Sequence, residues 1–443
     1  GTMSDYMFIL ENHLSVEQRA VLDLVQQAAA AANVSLFLTG GALRDMLGGF
    51  PIRDLDFTVE GPALKFAKDL AKQHKAEIVA VDDLRKSAEL LFPSGARCAI
   101  TMAHIEKFSK PGAKPQVSPA TIHEDLRCRD FTINAIALSL NRASRGLLID
   151  PTNGAGDIEH REIRAVSPYA LYDDPVRLLR LIRFKTRFSF NVEEKTWQQF
   201  LNAREAGVQK LIAPRALFKE LYEITQEPNP GDVFAALDQE GLLTLFSPGL
   251  KGPKVNLPAF QKLAKLKAMI PFGAPFHVDW YAIVLYCLTE KLTPKERSAL
   301  VAATQMTKQE AAPWQKLEAS AKKLAAAIRS PKLKRASQTF AVLSKAPGEQ
   351  VLLLGLTSEH RVVQDRIRNF LSRCLAVAME VTDAEVREVS GLEPGSPKFQ
   401  KAKEERIAAH LDGRVRKPAP PPEPEPPPAQ PQRSPILRGA RFR

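Results

Sequence analysis

The stretch that decides the fold is residues 34–59, VSLFLTGGALRDMLGGFPIRDLDFTV. Its apolar start, 34–39, predicts a β-strand, and Gly40 and Gly41 follow that strand directly. A short helix is predicted at 42–47, and a second strand at 52–59. Glycine allows a sharp turn and a close approach to a ligand, and the N-terminus of the helix offers free N–H groups to phosphate. The stretch is typical of a phosphate-binding corner to which Arg44 adds a positive charge, although a plain strand–turn–helix corner has the same pattern and is the more common source of a lone Gly-Gly pair.

Two acids stand at the start of the second predicted strand. Asp54 and Asp56 are two residues apart, and strand residues at this spacing point to one face. Paired carboxylates are suited to holding Mg²⁺ beside a triphosphate, where one ion activates an attacking hydroxyl and another stabilises the leaving pyrophosphate. A solvent-facing acid pair has the same pattern. We favour the metal site because the pair follows Asp45 by only nine residues.

The remaining pattern predicts a mixed α/β part and then a helical part. Helices and strands of the first part are predicted at 15–32, 63–74, 76–81, 88–92 and 97–103. A loop rich in Pro, Gly and Lys at 109–119 precedes a predicted helix from about 122 to 140 and a short strand at 147–149. From about 155 to 412, apolar residues recur at spacings of three and four, which predicts helices.

Two further polar segments follow the predicted strands. In RCRDFTINA, 127–135, Asp130 and Asn134 are one turn apart on the predicted helix and are placed to meet a ribose, with Arg129 near phosphates. In DDPVRLLRLIRF, 173–184, one Asp and three Arg recur every three residues and spread over one helix face. Asp and Arg side chains can recognise base edges through hydrogen bonds, although a solvated face with ion pairs has the same pattern.

Composition narrows the class of partner. The chain has 443 residues, with 62 Lys or Arg and 50 Asp or Glu, so its formal net charge is +12. This balance favours a polyanionic partner, most often nucleic acid, although a basic solvated surface would also produce it. With 44% apolar and 25% charged residues, disorder is excluded as a description of the whole chain. From Lys417 onward the chain is rich in proline and then basic, which predicts an extended, disordered tail.

Cysteine usage and hydropathy bear on the compartment. The four cysteines are scattered without a CxxC pair, which argues against a disulfide framework or a zinc site and favours a reducing cytosol. The sequence has no apolar run of about 18 residues and no secretory signal pattern, so neither a membrane span nor export is predicted. We therefore expect a cytoplasmic protein.

The ordered motifs GGALRD, RDLDF, RCRDFTINAIA, IDPTNGAGDIEHREIRA and DDPVRLLRLIRF resemble those of the class II tRNA nucleotidyltransferase/poly(A) polymerase family. The resemblance covers about residues 34–225. It implies an α+β nucleotidyltransferase head with a mixed five-stranded sheet, followed by an all-α neck, body and tail. The expected divisions are a head at 1–150, a base-recognising neck at 151–228, an RNA-binding body and tail at 229–412 and a disordered tail at 413–443.

The resemblance also implies specific roles for the residues at and near the glycine corner. Asp54 and Asp56 would be the catalytic pair that binds Mg²⁺. The Gly40–Gly41 pair and Arg44 would hold the triphosphate. Glu106, in a strand leading into the 109–119 loop, is a candidate third acid.

Residues of the two later motifs would bind the rest of the nucleotide. By resemblance, Arg129 and Asp130 would hold the ribose side of the incoming nucleotide. Asp174 and Arg177 would act as a protein template that pairs with the base of CTP or ATP. Two further arginines of the same segment would contact phosphates: Arg180 and Arg183.

The function implied is a Mg²⁺-dependent enzyme that adds CMP and AMP, from CTP and ATP, to the 3′ end of tRNA. Two alternatives in the same class are an enzyme that adds only A and a poly(A) polymerase, the latter favoured by the basic C-terminus. Outside the class, an RNA-binding module with a decayed head is suggested by departures from the family motifs at Cys128 and Ala216. The sequence predicts no oligomeric state.

Overall fold

The computed structural model describes residues 5–415 and 421–429, which group into two units. The first unit comprises the residues up to Ala268 together with His277–Lys322 and Pro347–Thr357. The second comprises Met269–Phe276, Lys323–Ala346 and the residues from Ser358 onward. All the predicted site residues belong to the first unit.

Short strands are concentrated in the first third of the chain. Their bounds are β1 Ser35–Thr39, β2 Leu55–Glu60, β3 Glu77–Asp82, β4 Ser87–Leu91, β5 Arg97–Met102, β6 His104–Lys107, β7 Gln116–Pro119, β8 Ala137–Ser139, β9 Leu148–Ile149, β10 Glu162–Ile163 and β11 Asn191–Val192. Seven of them form one mixed sheet in the order β3-β4-β5-β2-β1-β8-β9. Only β2 and β5 run parallel in this sheet, and every other neighbouring pair is antiparallel.

The sheet confirms the predicted fold class and differs from it in strand count. Strands β1–β5 match five of the predicted strands, and β9 matches the short strand predicted at 147–149. Strand β8 was not predicted and brings the sheet to seven. The prediction of a continuous helix over 122–140 is wrong beyond Arg127, where a helix ends with Cys128 as its cap. Residues 137–139 instead form β8, which pairs with β1. A short, wholly buried apolar run has no periodicity that separates strand from helix.

Helices carry most of the rest of the chain. Their bounds are α1 Asp5–His13, α2 Val16–Ala32, α3 Gly41–Gly48, α4 Ala63–His74, α5 Ile122–Arg127, α6 Gly154–Glu159, α7 Ala170–Asp173, α8 Arg177–Phe188, α9 Glu194–Glu205, α10 Pro214–Thr225, α11 Pro230–Gln239, α12 Leu257–Met269, α13 Trp280–Thr289, α14 Pro294–Thr304, α15 Lys308–Gln315, α16 Leu317–Ser320, α17 Lys322–Arg329, α18 Ala336–Leu343, α19 Gly348–Thr357, α20 Arg361–Asn369, α21 Leu375–Glu380, α22 Asp383–Ser390 and α23 Phe399–Leu411. The predicted change from a mixed α/β part to a helical part is thus confirmed.

Local chemistry explains where several helices begin. The Ser15 side chain accepts a hydrogen bond from the Gln18 N–H, and Oε1 of Gln18 accepts one from the Ser15 N–H, which fixes the start of α2. Proline occupies the first turn of α10, α11 and α14, where its missing N–H costs no intrahelical bond. The start of α10 sets the register in which this helix presents its polar side chains.

Apolar packing fixes the sheet in the first unit and the helices in the second. Phe37 of β1 packs with Ile122 and Leu126 of α5 and with Ala137 of β8. In the second unit, the buried Phe370 ring contacts the rings of two other residues, Phe276 and Phe340. The position of the glycine corner is therefore fixed by a packed sheet and not by a loop alone.

Three further predictions concern the C-terminal tail, membrane spans, and the domain divisions with the cellular location. Residues 421–429 of the predicted proline-rich tail are exposed and lie outside helices and strands, whereas 416–420 and 430–443 lie outside the described residues. Within the described residues, no helix combines the length and apolarity needed to cross a membrane. The predicted divisions at 150, 228 and 412 and the cytoplasmic location stay predictions.

Candidate active site

The double-glycine corner lies directly beside one of the predicted catalytic acids. Gly40 has φ +66°, in the region that favours glycine. A Cβ added there would lie 3.2 Å from Nη1 of Arg129 and 3.9 Å from Oδ2 of Asp56. The antiparallel pairing of β1 with β2 sets Thr39 opposite Asp56, which explains the approach. The structure thus brings Gly40, Arg129 and Asp56 together, as the order of the motifs predicts.

The negative charges of the two aspartates are only partly balanced by nearby positive charges. Burial, and then the negative charge of Asp54, raises the pKa of Asp56 to about 7. Asp54 is exposed at the start of β2, yet the protein around it displaces part of its hydration. That loss of hydration, followed by the charge of Glu223, raises the pKa of Asp54. The site therefore favours the arrival of a proton or a cation.

Glu223 is an acid that sequence reasoning missed. It lies on α10, about 170 residues after the aspartates, and its negative charge raises the pKa of both. Only the tertiary fold brings α10 near the aspartates, so no local motif could have indicated Glu223. Glu223 is thus a third negative charge near the aspartates, and it makes the binding of a positively charged ligand more favourable.

The donor set fits Mg²⁺, the ion that the family resemblance implies. No group of three or more His, Cys, Asp or Glu side chains suited to a metal occurs within 5–415 and 421–429. Mg²⁺ characteristically takes one or two carboxylates and completes its shell with water and substrate phosphates. Asp54 and Asp56, both oxygen donors with raised pKa values, match that requirement.

Arg44 lies inside a buried polar network and not at the surface of the corner. Its Nη1 donates to Oδ1 of Asn134 over 2.7 Å, and its Nε and Nη2 donate to Oδ1 of Asp45 over 3.2 Å each. Its guanidinium also stacks over the rings of Phe184 and Phe188. Asp45 is fully buried, and the motif GGALRD contains it, but its role as the partner of Arg44 was not predicted.

Asn134 and Asp130 come together although the segment between them is not an α-helix. Residues Thr132–Asn134 form a 3₁₀ turn, and Nδ2 of Asn134 donates to Oδ1 of Asp130 over 3.1 Å. Oδ2 of Asp130 accepts from Nε of Arg180 over 2.7 Å. Burial alone would raise the pKa of Asp130, but Arg180 and Arg177 outweigh it and lower that pKa to about 2.

The two residues of the predicted template pair, Asp174 and Arg177, lie near the start of α8 and differ in how firmly their side chains are held. Arg177 is fixed because its Nη1 donates to Ala170 O and its Nη2 to Cys128 O, both over 3.0 Å. The Asp174 side chain is 28% exposed, and its Oδ2 lies 4.0 Å from Nε of Arg177. Burial raises the pKa of Asp174 and Arg177 opposes that rise. Asp174 therefore keeps acceptor capacity that a ligand can use.

Arg183 is enclosed by acids. Its side chain is 4% exposed, its Nε donates to Oε1 of Glu220 over 2.5 Å, and its Nη1 donates to Oε1 of Glu227 over 3.0 Å. Glu220 of α10 thus braces α8 through Arg183. Arg215, on the same helix, pairs with Glu310 over 2.8 Å. The predicted phosphate contact of Arg183 is not tested by this geometry and stays a prediction.

Glu106 lies nearer to the predicted template than to the aspartate pair. Its Oε1 accepts from Nε of Arg85 over 2.5 Å and contacts Nε2 of His104 over 3.1 Å. Burial opposes ionisation, yet His104 and Arg85 lower the pKa of Glu106 to about 2. Its negative charge contributes to the raised pKa of Asp174. Glu223 thus stands beside the aspartates, where Glu106 was a candidate.

Comparisons with known proteins agree with this geometry. The Poly A polymerase head domain matches residues 36–164. The chain is 35% identical over 238 residues to an A-adding tRNA nucleotidyltransferase of Halalkalibacterium halodurans, covering 53% of this chain and 56% of that protein. It is 31% identical over 288 residues to a CC-adding tRNA nucleotidyltransferase of Deinococcus radiodurans, covering 65% and 72%. It thus spans about half the length of the first relative and nearly three quarters of the second.

A solved structure extends the likeness beyond the head. An apo form of a CCA-adding enzyme superposes with a TM-score of 0.54 at 25% identity, covering 93% of this chain and 96% of that one. A mixed sheet with a double-glycine corner and paired aspartates, followed by helices, defines the nucleotidyltransferase class. Within that class, the chain belongs to the class II tRNA nucleotidyltransferase/poly(A) polymerase family.

Proposed function

We propose that this protein completes the CCA end of tRNA by adding CMP and AMP, from CTP and ATP, to the RNA 3′-hydroxyl. One observation carries the proposal. Asp54 and Asp56 have raised pKa values, and the absence of a side chain at Gly40 lets the glycine corner approach Asp56 and Arg129 closely. The relatives named A-adding and CC-adding support tRNA as the substrate class.

The reaction forms one bond and breaks another at the α-phosphorus of the nucleotide. The oxygen of the RNA 3′-hydroxyl bonds to that phosphorus, the bond to the β-phosphate oxygen breaks, and pyrophosphate leaves. Asp54 and Asp56 would hold Mg²⁺, which supplies charge neutralisation for the triphosphate and eases loss of the hydroxyl proton. The N–H groups at the start of α3 and the guanidinium of Arg129 provide positive potential at the same corner.

Base selection is assigned to the start of α8. Cytosine and adenine each carry an exocyclic amino group that a carboxylate can accept from. The partly exposed Asp174 supplies such an acceptor, and the fixed Arg177 supplies donors beside it. The network of Arg44, Asn134 and Asp130 then positions the turn that carries Arg129.

Arg180 and Arg183 are assigned a supporting role in this proposal. Arg180 forms an ion pair with Asp130, and Arg183 forms ion pairs with Glu220 and Glu227. They orient α8, and through it the template pair, relative to the corner. The predicted head, 1–150, and the predicted neck, 151–228, would thus both contribute residues to one active site.

The deciding experiment measures incorporation of each labelled nucleotide into tRNA transcripts that end before, within and after CCA. A stop after three added nucleotides supports the proposal. Asp54→Ala should abolish incorporation, whereas the control Asp69→Ala, at an exposed position on α4, should not. Nucleotide binding without incorporation by the unmodified protein would indicate a decayed head.

A second candidate is an enzyme that adds only the terminal A. The observation that favours it is the 35% identity to an A-adding relative. It predicts one AMP added to a transcript ending in CC and none added to a transcript that lacks CC. A poly(A) polymerase would add AMP without a stop, so the same products separate all three activities.

A further inference from the structure

A cavity of about 290 Å³ lies where the segment between α10 and α11 meets α12 and α13, and none of the predicted site residues lines it. The end of α10, the start of α11 and one side each of α12 and α13 enclose it, and all of its lining residues belong to the first unit. Six of the lining residues matter for its chemistry: Glu227, Pro228, Phe260, Lys267, Trp280 and Val284. Its volume is near the lower end for ligand pockets, which suits one planar group.

An aromatic ring and a cation form one wall of the cavity. The Trp280 side chain is half-buried, and Nζ of Lys267 lies 4.8 Å from the centre of its ring. Nζ also donates to Pro228 O over 3.0 Å. Burial, and then the positive charge of Arg53, lowers the pKa of Lys267, whereas the negative charge of Glu227 opposes that fall. An aromatic ring and a lysine ammonium in cation–π contact are the two groups that a base and its phosphate bind.

The opposite wall joins the cavity to the reacting centre. Glu227 lines the cavity, and its Oε2 lies 3.7 Å from Nη1 of Arg53. Arg53 also donates to Gln226 O and immediately precedes Asp54 in the chain. One arginine therefore separates the cavity from a predicted catalytic aspartate.

We propose that the cavity receives one of the last two bases of the RNA strand that is being extended, stacked on Trp280. Lys267 then lies beside the adjoining phosphate and holds the strand end in register. The inference rests on the proposed function and deepens it, because it assigns a subsite for the acceptor strand. Stacking is independent of base identity, which suits a terminus that changes after each addition.

The test combines base deletion with ring deletion. Acceptor RNAs carry an abasic nucleotide at the last, second-last or third-last position, and kcat/KM for a single addition is measured. With the unmodified protein, base loss at one of the last two positions should lower kcat/KM roughly 5- to 140-fold. In Trp280→Ala that penalty should disappear, since both changes remove the same stacked pair. An equal penalty in both proteins overturns the proposal.

Trp197→Ala is the matched control. Trp197 is also half-buried and also has a lysine, Lys185, 4.8 Å from its ring centre, but it does not line the cavity. Its removal should leave the abasic penalty unchanged. Loss of the penalty in Trp197→Ala as well would overturn the assignment to Trp280.

A binding measurement keeps the inference testable without activity. RNA should quench tryptophan fluorescence in the unmodified protein and in Asp54→Ala, and the quench should be lost in Trp280→Phe while RNA affinity is largely kept. A quench produced by ATP or CTP without RNA overturns the proposal in favour of a nucleotide site. Absent incorporation with a normal RNA quench refutes the proposed function alone, and normal incorporation without that quench refutes the subsite alone.

Discussion

Nε of Arg180 donates a 2.7 Å hydrogen bond to Oδ2 of Asp130, which joins helix α8 to the turn after α5. The other oxygen of the same carboxylate accepts from Nδ2 of Asn134 and from the N–H of Phe131. Asp130 is buried, so these donors satisfy a charge that water does not reach. The residue predicted to meet a ribose thus also holds two elements of the active site together.

Asp130→Ala should therefore lower the free energy of unfolding by about 3 kcal/mol, since it leaves Arg180 without its buried partner. Denaturant unfolding followed by circular dichroism measures the change. The control is Glu11→Gln, which removes an exposed pair with Arg19 at 3.9 Å and should cost less than about 1 kcal/mol. Equal losses in the two variants would contradict a structural role for Asp130.

Arg183→Lys distinguishes support from substrate contact. The guanidinium of Arg183 bridges Glu220 and Glu227, and an ammonium cannot reproduce that fork. We expect a loss of about 3 kcal/mol in unfolding free energy, with the KM for ATP largely unchanged in the folded fraction. A raised KM for ATP with unchanged stability would instead support the phosphate contact that the sequence predicts.

Gly40→Ala should damage the corner through both backbone strain and contact. Gly40 has φ +66° and ψ −126°, and a Cβ there would lie 3.2 Å from Nη1 of Arg129. We expect a cost of about 1–3 kcal/mol in stability and a strong loss of nucleotide incorporation. Gly49→Ala is the control, because its φ is also positive at +75° but no atom lies within 4 Å of its added Cβ. Its cost should be about 1 kcal/mol, with incorporation retained.

Sequence reasoning succeeded where the chemistry is local and fell short where folding brings distant residues together. The aspartates and the glycine corner are 14 to 16 residues apart, and the strand pairing of Thr39 with Asp56 follows from their spacing. Glu227, by contrast, meets Arg183 across 44 residues, and no spacing rule indicates such a contact.

The boundary of α5 shows a second physical reason for error. The helix ends at Cys128 without a glycine or proline that would mark the stop. Its end is instead set by the pairing of β8 with β1, in which Phe37 lies opposite Ser139. Tertiary pairing overrides the local helix preference there. The sequence therefore predicted that Asp130 and Asn134 lie close together, but on an α-helix, whereas a 3₁₀ turn brings them together.

The raised pKa of Asp56 predicts a stability difference that depends on pH. In the metal-free folded protein its pKa is about 7, against an ordinary value of 3.8, so ionising it costs stability as the pH rises between those values. Asp56→Asn carries no such charge and should be more stable than the unmodified protein at pH 8 in EDTA, by at most about 4 kcal/mol. The gap should shrink as the pH falls through this range and vanish well below pH 3.8, where Asp56 carries its proton in both states.

Urea unfolding at several pH values in EDTA measures this gap, and Asp69→Asn, at an exposed site on α4, is the control in which no pH-dependent gap is expected. Adding Mg²⁺ at pH 8 should narrow the gap for Asp56→Asn, because an ion held by both carboxylates stabilises the unmodified protein and binds the variant weakly. A gap that stays constant from pH 5 to 8, or that Mg²⁺ leaves unchanged, would show that Asp56 is not the strained carboxylate of a cation site.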